Sequence, residues 1–187
     1  MVKTNINLFA EGEVVYTDGG VLAEFAWVLV VLPFIAALII TFAGKSLPLK
    51  GAEIALGTIG IIFIYSLALM YLHVTEGVAN EFFINVGNIG QFDIEFGWVV
   101  DGLSIMMYFV VGLVALLVFI YATNYMEGEI RYTFFFTSLT LFAGSMLVLV
   151  SSPTLIQILI GWELVGVCSY LLIGHYWEVK DNSSAAM

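Results

Sequence analysis

Five apolar stretches, each near the length of a bilayer-crossing helix, govern what this chain can fold into. They cover residues 22–42, 52–74, 103–123, 134–150 and 155–176, and none contains Lys or Arg. A helix rising about 1.5 Å per residue needs roughly 20 residues to cross a hydrocarbon core about 30 Å thick. The composition agrees: 61% of the residues are hydrophobic and 11% charged, against about 45–50% and about 25% in a soluble domain. The expected fold class is therefore an all-α integral membrane protein with five transmembrane helices. The first stretch lies too far from Met1, and follows too many acids (Glu11, Glu13, Asp18), to read as a cleaved signal.

Charge and cysteine usage narrow the function further. A formal net charge of −10 speaks against nucleic acid as a partner and leaves membrane lipid as the solvent of most of the chain. Cys168 is the single cysteine and lies inside an apolar stretch, so it gives neither a disulfide nor a metal framework. Threading the stretches alternately puts Lys45, Lys50, Arg131 and Lys180 on one side and Lys3 on the other. The positive-inside rule makes the former side cytoplasmic and the N-terminus extracytoplasmic.

The loop between the second and third stretches carries a different period. Phe92, Ile94, Phe96 and Trp98 alternate with Asp93, Glu95 and Gly97, as in a strand with one wet face. Ile84 and Val86, ahead of Gly87, Asn88 and Gly90, supply a partner, so a short extracytoplasmic β-hairpin is expected to cap the bundle.

The fifth stretch holds the one charge placed deep in a span. Ser152 and Pro153 read as a cap and a first-turn proline, and Glu163 follows ten residues after Pro153, about 15 Å into the core. An acid there costs on the order of 2.5–3.5 kcal/mol on insertion scales, which a packing role does not require. Proton transfer is the functional reading; a neutral carboxyl bonded to a neighbouring helix is the structural one. At 100° per residue, Ile156, Leu159, Gly166, Val167, Tyr170 and Gly174 share the Glu163 face, which is expected to point into the bundle. Gly166 and Gly174 would allow close packing or hydration, and the Tyr170 hydroxyl could extend a polar chain.

Other polar residues are weighed as accessories. Asp101 precedes the third stretch, where capping competes with a part in proton exit. Gln157 suits a helix-to-helix hydrogen bond better than a place in the proton route. His73 and His175 stand near span ends, where histidine needs no special role; proton relay is the functional alternative, with His175 the accessory candidate, and two isolated histidines make no metal site. Trp27, Trp98 and Trp177 read as interfacial anchors, whereas Trp162 adjoins Glu163 well inside its span. No nucleotide-binding loop, flavin fingerprint or cysteine cluster appears, so no cofactor is expected in this chain.

The run GWELVGVCSYLLIGHY, from Gly161 to Tyr176, is similar to the fifth-span signature of the L-type subunit (mitochondrial chain 5) of complex I, the proton-pumping NADH:quinone oxidoreductase. VVDGLSIMM from Val99 and YATNYMEGEIRYTFFF from Tyr121 agree with it, so the resemblance covers about residues 85–187. It implies a division into two N-terminal helices (1–84), a chain-5-type segment of hairpin and third helix (85–135), and the truncated start of an antiporter-like domain (136–187). It also implies a proton half-channel in which Glu163 pairs with a Lys on a later helix. That Lys is expected beyond Met187, because the ending from Asp181 has no stop-like character. The resemblance places NADH, FMN, iron–sulfur clusters and quinone in partner subunits of the membrane-arm complex, and favours the plasma (inner) membrane of a bacterium over the mitochondrial inner membrane. A related Mrp-type cation/proton antiporter subunit is the alternative within the superfamily, and a non-transporting membrane scaffold is the alternative of another class.

Overall fold

In hydrocarbon every backbone N–H and C=O must be satisfied within the protein, so each apolar stretch closes into a helix. The computed structural model describes residues 17–18, 20–89 and 92–176, with side chains described for 21–87 and 95–176. Lys3, Lys180, Gly90, Trp177 and the tail after it lie outside the described residues. The elements are β1 (Thr17–Asp18), α1 (Gly20–Glu24), α2 (Trp27–Ala43), α3 (Ala52–Glu76), β2 (Val78–Ile89), β3 (Phe92–Val100), α4 (Gly102–Tyr125), α5 (Tyr132–Ser151) and α6 (Leu155–Ile173). Helices α2 to α6, the first and last with short 3-10 extensions, are the five long and apolar enough to cross a membrane.

Three boundaries differ from the sequence reading. The first span starts at Trp27, because the chain tightens at Phe25 and Ala26, where Ala26 N donates to Ala23 O and Val28 N to Phe25 O. The cap of α6 is Thr154, whose hydroxyl accepts from Gln157 N at 3.4 Å. Ser152 instead ends α5, with its Oγ donating to Val148 O, so Pro153 precedes α6. The helix also stops at Ile173, and Gly174–Tyr176 forms a 3-10 turn.

The spans surround α5, which packs against α2, α4 and α6, while α3 packs against α2 and α4. Small residues permit the close approaches: a Cβ on Gly144 would lie 3.0 Å from Pro33 Cβ, and one on Gly112 would lie 3.3 Å from Phe63 Cα. Hydroxyls on α5 bond back into their own helix, Thr137 to Thr133 O, Ser138 to Phe134 O, Thr140 to Phe136 O and Ser145 to Leu141 O. No polar group is thereby left to the lipid at these positions.

The expected hairpin is present and longer than its alternating pattern suggested. Strands β2 and β3 pair antiparallel from Asn80↔Val100 to Ile89↔Phe92, and β1 adds a parallel third strand on the other edge of β2. The register shifts between Asn85 and Gly87, so Val86 is the extra residue of a bulge rather than a cross-strand partner. Phe82 stacks on its partner Trp98, ring centroids 4.4 Å apart. Gly77 turns α3 into β2 with φ 65°, in the left-handed region that glycine occupies without strain.

Candidate functional site

Helix α6 carries two different faces. The buried face carries Gln157, Gly161 and Cys168, of which Gly161 and Cys168 meet α5. A Cβ on Gly161 would stand 3.0 Å from both Leu149 Cα and Leu149 N, so glycine lets the two backbones nearly touch. Cys168 Sγ meets Ser145 Oγ at 3.8 Å one level further along. Glu163 lies on the other face, eight residues past the first residue of α6, roughly 12 Å along the helix and near its midpoint.

The Glu163 face does not point into the bundle of described spans, as expected from its glycines, but away from it. Glu163 is exposed, as are Trp162 at 67% and Tyr170 at 53%. Gly166 has open space around it, with no atom within 4 Å of a Cβ placed there. Close packing falls instead to Gly161, whose neighbour Leu149 is met at the backbone. Gly174 sits in the terminal 3-10 turn rather than on the helical face. Tyr170 shares the azimuth of Glu163 two turns along, about 10 Å away by helical rise.

The accessory residues gather at the hairpin or at the opposite end, away from Glu163. Asp101 caps α4: its carboxylate accepts from Ser104 N at 2.7 Å while Ser104 Oγ accepts from Asp101 N at 2.8 Å. Gln157 bonds a strand, not a helix. Its Oε1 accepts from Gly97 N at 2.9 Å and its Nε2 donates to Gly97 O at 2.8 Å. His175 is buried in the turn after α6, edge-on to Phe135, and its carbonyl accepts from Arg131 Nη1 at 2.9 Å. His73, at the hairpin end, contacts Val78 O through Nδ1 at 2.7 Å.

Thr154 and Gly97 complete an arrangement not singled out from the sequence. Along the free edge of β3, Glu95 O accepts from Thr154 Oγ1 at 3.1 Å, Gly97 pairs with Gln157, and Val99 O accepts from Tyr108 Oη at 3.3 Å. Alternate residues present their backbone groups to the same edge, and here two membrane helices occupy all three positions. Among the described residues, no group of three or more His, Cys, Asp or Glu could hold a metal ion.

Residues 87–136, from the hairpin to the start of α5, match the family model for the N-terminus of chain 5 of NADH-ubiquinone oxidoreductase (complex I). The chain is 36% identical over 170 residues to NAD(P)H-quinone oxidoreductase subunit 5, organellar chromatophore 1, of Paulinella chromatophora, covering 87% of this chain and 26% of that protein. Over most of its own length the chain is therefore similar to chain 5 of complex I. Chain 5 of the NAD(P)H-quinone oxidoreductase of Synechocystis sp. is 37% identical over 171 residues, 88% of this chain and 25% of the relative. Subunit L of the NADH-quinone oxidoreductase of Escherichia coli is 36% identical over 170 residues, 84% and 26% respectively. The chain thus spans about a quarter of the length of the chain 5 relatives it matches. With five helices long and apolar enough to cross a bilayer among its described residues, it is a multi-pass membrane protein.

Proposed function

We propose that this chain forms part of a proton half-channel in the membrane arm of an NAD(P)H:quinone oxidoreductase, with Glu163 as the group that takes up and releases the proton. The observation that carries this reading is an ionisable residue near the middle of α6, exposed on the face turned away from every described span. A carboxylate left against hydrocarbon costs several kcal/mol, so this face is built to meet protein or water rather than lipid tails. The names of the relatives, all subunits of quinone oxidoreductases, favour this assembly over a cation/proton antiporter.

In this reading the covering element supplies a cation, as the family resemblance implies for a later-helix Lys. An approaching positive charge favours the ionised carboxyl, and its withdrawal favours the neutral form, so motion or neutralisation of that charge loads and unloads the proton. Electron transfer and the nucleotide, flavin, iron–sulfur and quinone sites belong to partner subunits. Lys45, Lys50 and Arg131 orient the chain with their end cytoplasmic and the sheet extracytoplasmic, in a bacterial plasma membrane.

The test is Glu163→Gln in the intact complex reconstituted in vesicles, with proton uptake and electron transfer measured together. The expected result is assembled complex with proton uptake per electron pair clearly reduced or electron transfer lost with it. Uptake at the wild-type ratio and rate would remove Glu163 from the proton route.

A further inference from the structure

Gln157 is the point where the outer sheet and the helix of Glu163 meet. The residue is 5% exposed, and its amide answers both polar groups of one strand residue, accepting from Gly97 N and donating to Gly97 O. Two opposed hydrogen bonds from a planar amide to one backbone unit fix direction as well as distance. Thr154, one turn earlier, adds its bond to Glu95 O.

Beyond this first turn α6 is held by its packing on α5 and, just past its far end, by the bond from Arg131 to the carbonyl of His175. Gly161 packs on α5, a contact that resists separation more than rotation or sliding because apolar contact is non-directional, and Cys168 Sγ meets Ser145 Oγ at a long 3.8 Å. Six residues of unbroken helix join Gln157 to Glu163, so a change of angle or depth in the first turn is carried to the carboxyl.

We propose that Gln157 is a positioning residue that sets the depth and azimuth of Glu163 through its paired bonds to the backbone of Gly97. The outer sheet is then part of the proton-carrying site although it lies outside the membrane core. This inference rests on the reading of Glu163 as the proton carrier.

Two variants of the intact complex in vesicles test it beside Glu163→Gln. Gln157→Leu keeps most of the volume and removes both bonds. Gln157→Glu can replace them only when protonated, since a carboxylic acid offers one acceptor and one donor whereas a carboxylate would oppose Gly97 O. Proton uptake per electron pair is measured against pH, and exchange of the Gly97 amide reports the bond itself.

For Gln157→Leu the expected result is assembled complex, faster Gly97 exchange, uptake lowered several-fold and a displaced pH profile. Gln157→Glu should approach wild type at acid pH and fall towards the Leu variant as pH rises. Should Gln157→Leu fail to assemble, the Gln157→Glu profile decides. Wild-type profiles in both variants, or a loss equal at every pH with no acid recovery, would overturn the inference while leaving a defective Glu163→Gln to support the proton-carrier reading. Normal uptake in Glu163→Gln would overturn both.

Discussion

Gly97 has no room for a methyl group: a Cβ there would lie 1.8 Å from Phe82 O on the paired strand. Gly97→Ala must therefore part β2 from β3 or pull β3 off Gln157, at a cost at or above the about 1–3 kcal/mol typical of overpacking. The expected outcome is a lower thermal midpoint of the solubilised complex, with the exchange of β3 amides raised. Asp101 supplies a contrast. Its two bonds with Ser104 are those of a capping box, so Asp101→Ala should cost about 1 kcal/mol of stability and leave the proton-to-electron ratio in vesicles unchanged. A changed ratio would show that Asp101 does more than cap α4.

At the level of elements, the contact of α6 with α5 depends on Gly161. A side chain there meets the backbone of Leu149, which cannot move aside as a side-chain tip could. Gly161→Val should therefore push the helices apart and reduce the amount of assembled complex, measured by native electrophoresis. The five spans were legible in the sequence because lipid leaves the backbone no other regular structure than a helix or closed barrel. The start of α6 was less so. Ser152 and Pro153 look like a cap, yet Thr154-Leu-Ile-Gln157 is the T-x-x-Q pattern of a capping box, and the helix follows that pattern. Gln157 departs from it by reaching to Gly97 instead of its own cap, a partner 60 residues away that local pattern does not reveal. Which face of α6 meets the described spans is not legible in the sequence, because both faces are apolar and both contain glycine; the close backbone approach at Gly161 sets it. Val78 to Phe83 lack strict alternation, so half of β2 is not legible in the sequence.

For the whole molecule, the two ends have opposite character. Lys50 O accepts from Thr133 Oγ1 and His175 O from Arg131, so the basic loops and the turn after α6 meet at one end, and the sheet lies at the other. A cysteine replacing exposed Ser46 should be labelled by an impermeant thiol reagent only from the cytoplasmic side of sealed vesicles, and one replacing Asn85 only from the opposite side. The reverse pattern would invert the orientation. At the sheet end α6 hangs from β3, and it presents Glu163 near its own midpoint on a face that no described span covers. The central claim is that this carboxyl changes its protonation during turnover. Infrared difference spectra of the complex, reduced minus oxidised, test it most directly when wild type is compared with Glu163→Gln. The account predicts a protonated-carboxyl band that appears or disappears on turnover in wild type and is absent from the variant. Identical spectra from the two would contradict it.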